Sequence, residues 1–498
     1  MLVFNQITES LHILSAWREA MSIADSGNII RILSGCNRWW QFHSVSPDYL
    51  KATHRTLFGS IRQQLSKDVC RVIYIAGLHR SGKTALIHQV IQSMIDDGED
   101  PRQILYLDFE HPFLNFVSFD LLYRTFYENV CSDPQKRTFC FIDDAHMKKD
   151  WEKEIIRFSK QYPELTVIAA STIRPENIGP ESVFFHLPPV SYYEYCQIAN
   201  KSEDLGYDSI APLSGFVNAS RHELLAISRY LGKFRPNFIR YLYTGGFLNL
   251  VGETDPIRIQ RMIQKHVVSA TLGRDISSTC NVRNTSELER VFLYLCFECP
   301  GVISFEALKR EVDCVSRPTI EKYMHYLNRA CMILHCLPDE AESGPIQKIQ
   351  PKIYLADSSI RNSLLMLDDV RVTETDLNRI VETAVYRHLR FFGPDMQEGR
   401  ITYSRKKTSG KNLDMILTGQ KKRIFIDIRY DDELRFSKKD SVILNSHEAD
   451  ICLVITKSDR YIGPVSGLPS NIICIPANVF LFLIGHAKAN NYSFLDGV

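Results

Sequence analysis

The sequence carries no excess of charge of either sign. Lys and Arg number 59 and Asp and Glu 58 among 498 residues, so no global field advertises a nucleic acid or a membrane surface, and any electrostatic footprint has to be local. Long apolar runs are missing as well. Runs such as Val479 to Ile484 fall far short of the roughly 20 residues that a membrane-spanning helix needs. The opening MLVFNQITESLHILSAWREA has no basic start followed by an uninterrupted apolar stretch, so a secretory signal is not expected there and a cytoplasmic chain is. Internal repeats and low-complexity tracts are also absent. The 13 cysteines form an odd set that complete disulfide pairing cannot use, and free thiols in a reducing compartment are expected. Cys296 and Cys299, with Cys314, Cys331 and Cys336 nearby, could be imagined as a zinc site. Cys296, however, lies in an apolar stretch that reads as a buried helix, and no second tight pair follows.

What is present begins with Gly77-Leu78-His79-Arg80-Ser81-Gly82-Lys83-Thr84, a complete phosphate-binding loop. Before it, Arg71 to Ala76 has the length and β-branched content of a buried strand. After it, Ala85 to Ile91 reads as the first turns of a helix. A glycine-bounded loop between strand and helix lets successive backbone N–H groups face phosphate oxygens, and the helix N-terminus adds partial positive charge. Gly77, His79, Arg80, Ser81, Gly82, Lys83 and Thr84 are the expected nucleotide-binding set, and a nucleoside triphosphate is the expected ligand. Lys83 is placed to reach the β- and γ-phosphates, and the Thr84 hydroxyl to ligate the bridging Mg²⁺.

At this length about three domains are expected. Residues 1–68 read as a mostly helical extension containing Trp17, Trp39 and Trp40, which either covers the following domain or meets a protein partner. Residues 69–200 alternate short apolar strands with helical stretches, the pattern of a parallel sheet covered on both faces, with ligands beyond the carboxyl ends of its strands. Residues 201–290 read as a helical lid. Residues 291–370 read helix, turn, helix and strand pair, a winged helix-turn-helix with a polar wing from Pro338 to Gln350. Residues 371–498 form a further α/β region.

Phe139-Cys140-Phe141-Ile142-Asp143-Asp144 is an apolar strand ending in two carboxylates. Asp143 is expected to hold the Mg²⁺, and Asp144 to orient the attacking water. Many ATPases carry Glu at the second position, and the shorter Asp implies slow turnover. The next strand ends at Ser171 and Thr172. Either these hydroxyls sense the γ-phosphate or lytic water, which makes Ser171 a catalytic candidate, or they merely begin a turn.

In this order, the phosphate loop, the two strand tips and Leu187-Pro188-Pro189-Val190-Ser191-Tyr192-Tyr193-Glu194-Tyr195 resemble a family of prokaryotic AAA-type ATPases. Tyr241 to Phe247 and Arg274-Asp275-Ile276 agree, and the likeness spans roughly residues 60–430. It implies an α/β P-loop core followed by helical and winged-helix regions and a C-terminal domain of restriction-endonuclease-like fold. Relatives usually show a Gly-Arg pair ahead of the Leu-Pro segment, where this chain has Gly179-Pro180-Glu181. Arg174 and Arg274 are possible substitutes for that arginine, or ordinary surface ion-pair residues. In the C-terminal domain the likeness places Glu382, Asp414, Asp427 and Arg429 at a metal-dependent nuclease site. There the usual Glu-x-Lys has become Asp427-Ile428-Arg429, and a permanently charged arginine does not simply replace a lysine that activates water. A domain that kept the fold and lost cutting is therefore expected.

Around those strands Arg400, Arg405, Lys406, Lys407, Lys411, Lys421, Lys422 and Arg423 form either a salt-sensitive nucleic-acid patch or a solvated basic hairpin. Arg317, Lys322 and His325 offer a second DNA contact if the winged helix is not simply a packing module. The expected protein is thus an ATP- and Mg²⁺-dependent ATPase. Three roles stand open for it: a DNA-binding protein gated by ATP, a signalling ATPase that recognises a protein partner and self-associates, or an ATP-regulated nuclease.

Overall fold

The computed structural model describes residues 25–67, 71–200, 220–280, 282, 284–312, 316–339, 350–367, 372–393, 400–404, 413–419, 423–436, 449–464 and 469–490. Trp17 and the basic residues Arg405, Lys406, Lys407, Lys411, Lys421 and Lys422 lie outside them. The chain divides into two compact units, residues 1–76 with 83–185, and residues 77–82 with 186–498.

In the first unit, strands β1 (Val72–Ala76), β2 (Ile104–Asp108), β3 (Thr138–Asp143), β4 (Leu165–Ser171) and β5 (Ser182–His186) form one sheet in the order β2-β3-β4-β1-β5. The pairs β1–β4, β3–β4 and β2–β3 are parallel. VIYIA, ILYLD, TFCFID and LTVIAAS are near-continuous apolar runs because helices cover both faces of a parallel sheet. The strand order inserts β4 between the strand that enters the phosphate loop and the strand that ends in Asp143. Ala76 therefore pairs with Ser171, and Asp108 with Asp143.

Helix α1 (Ser26–Cys36), capped by the Asp25 side chain on the Asn28 N–H, leads into residues that close the edge of this sheet. Asn37 donates from Nδ2 to the Tyr106 carbonyl at 2.9 Å and accepts the Tyr106 N–H at 2.6 Å. The Trp39 and Trp40 indoles both donate to the Ile104 carbonyl. These side chains take the place of a neighbouring strand along β2, an edge that would otherwise offer open backbone groups to another chain. Asn37, Trp39 and Trp40 thus cover this edge of their own unit.

Helix α2 (Lys83–Asp96) belongs to the first unit and follows the loop. Helices α3 (Tyr192–Ala199) and α4 (Arg235–Thr244) bracket residues outside the described set, and a π-helical segment covers Gln264–Ile276. Then come α5 (Thr285–Glu298), β6 (Gly301–Val302), α6 (Phe305–Val312), α7 (Arg317–Arg329), β7 (Ile333–Pro338) and β8 (Lys352–Leu355). After α8 (Glu374–Phe392) follow β9 (Arg400–Tyr403), β10 (Met415–Thr418), β11 (Arg423–Arg429), β12 (Ile451–Thr456), β13 (Gly463–Pro464), β14 (Ile472–Pro476) and α9 (Ala477–Ala489).

Among the described residues β6 to β14 form one mixed sheet, ordered β13-β14-β12-β11-β10-β9-β7-β8-β6. The hairpin β7–β8 is antiparallel, and β7 also pairs in parallel with β9, Leu337 opposite Thr402. The hairpin that reads as a wing in sequence is therefore continuous with the C-terminal sheet, and residues 291–370 and 371–498 share one layer. Helix α9 is buried nearly all round, which explains the run Val479 to Ile484. Among the described residues no helix is long and apolar enough to cross a membrane. The described cysteines are all free, and no three described His, Cys, Asp or Glu side chains gather as a metal set.

Candidate functional site

The loop Gly77–Gly82 joins β1 to α2, whose first residues are Lys83 and Thr84. Arg80 turns the chain with φ 65°. Gly77 has no room for a side chain, because a Cβ there would lie 2.1 Å from the Leu187 carbonyl oxygen. The first glycine of the loop is thereby tied to the start of the Leu187–Tyr195 segment. His79 Nε2 lies 2.5 Å from Oδ2 of the fully buried Asp275, and Arg274 Nε bonds the other carboxylate oxygen at 3.0 Å. The Arg274-Asp275 pair at the end of the π-helical segment thus holds a loop side chain. Arg174, by contrast, stacks its guanidinium over the Phe184 ring.

In the first unit the Thr84 hydroxyl donates to Asp143 Oδ2 at 2.6 Å, and the Tyr106 hydroxyl to the same oxygen at 3.2 Å. The Asp144 N–H donates to Asp143 Oδ1 at 3.1 Å. Asp143 is 2% exposed, so three donors hold a buried carboxylate at the strand tip. Asp108, its partner on β2, has its pKa raised by burial and then by the Asp143 charge, against the pull of the Glu110 N–H. A hydroxyl and a carboxylate oxygen at this separation are the two hard oxygen donors that Mg²⁺ prefers, so the residues present fit that ion.

Asp144 sits in the left-handed region, φ 48° and ψ 42°. Asp and Asn tolerate that backbone better than longer side chains do, which gives a physical reason for Asp rather than Glu at this position. Its Oδ1 lies 3.9 Å from His146 Nδ1, and His146 Nε2 lies 2.9 Å from the Thr172 hydroxyl. His146 is a site residue that the reading of strand tips missed; its only signal was its place two residues after the acidic pair. Ser171 instead closes a local turn, accepting the Ile173 N–H and donating to the Ile173 carbonyl. Of the two hydroxyls ending β4, Thr172 therefore connects toward Asp144.

The segments Leu187–Tyr195 and Tyr241–Phe247 meet around a buried ion pair. Arg387, on α8, pairs with Asp357 and also contacts the Tyr241 hydroxyl and, at 3.1 Å, the Val190 carbonyl. Asp357 Oδ2 accepts the Gly246 N–H at 3.1 Å. Gly245 has φ 73°, and a Cβ there would lie 2.1 Å from Asp357 Oδ1. These landmarks therefore act as packing elements of the second unit.

The C-terminal residues gather in a cleft of about 740 Å³. Glu382, Asp414, Asp427 and Arg429 all line it. A residue from outside that set joins them: Lys352 of β8 places Nζ 2.6 Å from Glu382 Oε1 and 3.7 Å from Asp414 Oδ1. Burial alone would lower the Lys352 pKa, but the Glu382 and Asp414 charges outweigh it and raise it. Arg429 Nε bonds Asp427 Oδ2 at 2.6 Å. On α7, Arg317, Lys322 and His325 are exposed, and Arg317 pairs with Glu321 at 3.0 Å.

Residues 70–196 match the family model described as an AAA domain, and residues 235–371 match one described as a domain of unknown function, DUF8612. An uncharacterised protein of Haemophilus influenzae is 20% identical over 406 residues, covering 79% of this chain and 88% of its own. Among solved structures, the Aeropyrum pernix ORC1 protein in complex with DNA covers 63% of this chain and 92% of its own, at 11% identity and TM-score 0.28. The Pyrococcus horikoshii STAND protein PH0952 covers 66% and 47%, at 13% identity and TM-score 0.22. The parallel five-stranded sheet and the matched domain together make residues 70–196 an AAA-type core.

Proposed function

We propose that this chain binds ATP with Mg²⁺ and hydrolyses it. The observation that carries the reading is the Thr84–Asp143 hydrogen bond at 2.6 Å, directly after a complete phosphate loop. In this reading the loop amides and Lys83 hold the phosphates, and Thr84 and Asp143 hold the metal. Bound there, Mg²⁺ supplies charge neutralisation across the β- and γ-phosphates. Asp144 orients the attacking water and takes up its proton, with His146 and Thr172 fixing the direction of its carboxylate. Ser171 keeps the strand tip in shape through its turn.

The reading is tested by titrating Mg²⁺-ATP into the full chain and into Lys83→Ala. Equal affinities would sink it. Turnover measured with and without DNA, together with mass in solution, separates the roles open to the ATPase. Within the same proposal α5 to α7 with β6 to β8 form a winged helix, whose exposed Lys322 and His325 on α7 favour a DNA contact. DNA-stimulated turnover that is reduced in Lys322→Ala supports that contact. Turnover indifferent to DNA, with self-association on ATP, supports a signalling ATPase with a protein partner instead.

A further inference from the structure

A restriction-endonuclease-like site implies a divalent ion held by Glu382, Asp414 and Asp427, and the residues around this cleft do not fit one. Such an ion draws its affinity from carboxylate oxygens that converge on a point with no other cation among them. Here Lys352 Nζ already lies 2.6 Å from Glu382 and 3.7 Å from Asp414. The Lys352 side chain is 12% exposed and that of Glu382 14%, so water screens their attraction little. The three carboxylates have further partners. Glu382 Oε1 accepts the Tyr354 hydroxyl at 2.8 Å, Asp414 Oδ2 accepts the Ile428 N–H at 2.9 Å, and Asp427 Oδ2 accepts Arg429 Nε at 2.6 Å. Two carboxylates share an ammonium and the third is matched by a guanidinium. A divalent ion placed among them would meet a fixed ammonium within a few ångströms, a repulsion twice that of two unit charges at the same separation.

We propose that Lys352 stands in the place of the divalent cation, so that the cleft is a closed ion network that takes no Mg²⁺ or Mn²⁺ and cuts no phosphodiester. The network joins β8 to α8 and to the residue just before β10, so it also fixes the hairpin β7–β8 against α8. The substitution of Arg429 for the expected lysine is then only half of the change. The other half is a lysine on a strand 77 residues upstream of Arg429. This inference rests on the likeness to restriction endonucleases for its expectation of a metal, and it is independent of the ATPase reading.

The test is Mn²⁺ binding by electron paramagnetic resonance on the full chain without nucleotide, comparing the parent with Asp414→Asn, Lys352→Met and the double variant. Ions bound near Thr84 contribute equally to all four and cancel. The expected result is the same Mn²⁺ stoichiometry in the parent and Asp414→Asn, one further ion per chain in Lys352→Met, and loss of that ion in the double variant. A parent that loses one Mn²⁺ on Asp414→Asn overturns the proposal, and so does a Lys352→Met chain that gains none. Mn²⁺-dependent DNA cleavage by the parent, abolished by both Lys352→Met and Asp414→Asn, overturns it as well, because Lys352 is then the lysine of a working nuclease. If Lys352→Met does not fold, the parent and Asp414→Asn decide alone: equal stoichiometry upholds the proposal and unequal stoichiometry ends it.

Discussion

Thr84 and Asp143 hydrogen-bond directly, hydroxyl to carboxylate, at 2.6 Å. One begins a helix and the other ends a strand 59 residues later, and their contact places two oxygen ligands where a single hard cation can meet both. Lys83 precedes Thr84 and is 7% exposed. A charged hydrogen bond of the kind Lys83 offers to phosphate is worth about 1.5–3 kcal/mol, or roughly 10- to 150-fold in affinity. Lys83→Ala is therefore expected to weaken Mg²⁺-ATP binding by that factor in calorimetry. Thr84→Ala is expected to remove most of the difference in ATP affinity between Mg²⁺ and EDTA. An unchanged Mg²⁺ effect in Thr84→Ala would show that the ion is held elsewhere.

Asp144 gives a second prediction, and its backbone chooses the variant. With φ 48°, the position accepts Asn without strain but resists Glu. Asp144→Asn is expected to lower kcat about 100-fold, the lower end of what a positioned base contributes, with ATP affinity little changed. Asp144→Glu restores the residue common in other ATPases, yet it is expected to be slower than the parent because the left-handed turn misdirects the longer side chain. A Glu variant faster than the parent would mean that side-chain length, and not the backbone, limits turnover.

The core of the first unit was legible because apolar runs of strand length alternate with helices, and because a phosphate loop announces its own flanking elements. Asp143 was expected at a strand tip on the same pattern, since ligands of a parallel sheet collect beyond the carboxyl ends of its strands. His146 and Tyr106 could not, because their contacts depend on how β2, β3 and β4 are registered, which no local pattern encodes. The continuity of β7 with β9 was hidden similarly: a parallel pair between residues 65 apart leaves no periodicity to read. Lys352 was invisible for a sharper reason. A lysine on a strand next to a polar stretch reads as solvated, and only the fold brings Glu382 and Asp414 to it.

Arg387 and Asp357 form a buried ion pair. Each side chain is 2% exposed, so removing one partner leaves the other charged, buried and desolvated, at a cost of about 3–5 kcal/mol. Arg387→Met is expected to lower the stability of the second unit by that amount in urea unfolding. Gly245→Ala is expected to be damaging as well, since φ 73° and the 2.1 Å approach to Asp357 leave a methyl group no place. A Gly245→Ala chain as stable as the parent would show that the 244–247 turn can move away from Asp357.

Stability should also depend on pH through a buried histidine. His388 is fully buried. Its Nε2 accepts the Tyr192 N–H at 2.9 Å, so the proton sits on Nδ1, which donates to the Ala384 carbonyl at 2.7 Å. Burial, and then the neighbouring Arg387 charge, hold its pKa well below 6.5, against the smaller pull of the Ala384 carbonyl. The folded value thus lies below the unfolded one. Above about pH 6.5 neither state binds the proton and the group is neutral toward stability. Below that, only the unfolded chain takes it up, so folding weakens as pH falls, by up to about 1.4 kcal/mol per pH unit. Urea midpoints at pH 7, 6 and 5 should therefore decline for the second unit. His388→Gln, which cannot titrate, should be less stable at pH 7 but should show a shallower decline. Parallel slopes for the parent and His388→Gln would place the acid sensitivity on other groups. His88, whose pKa is likewise lowered by burial, is expected to add the same trend to the first unit.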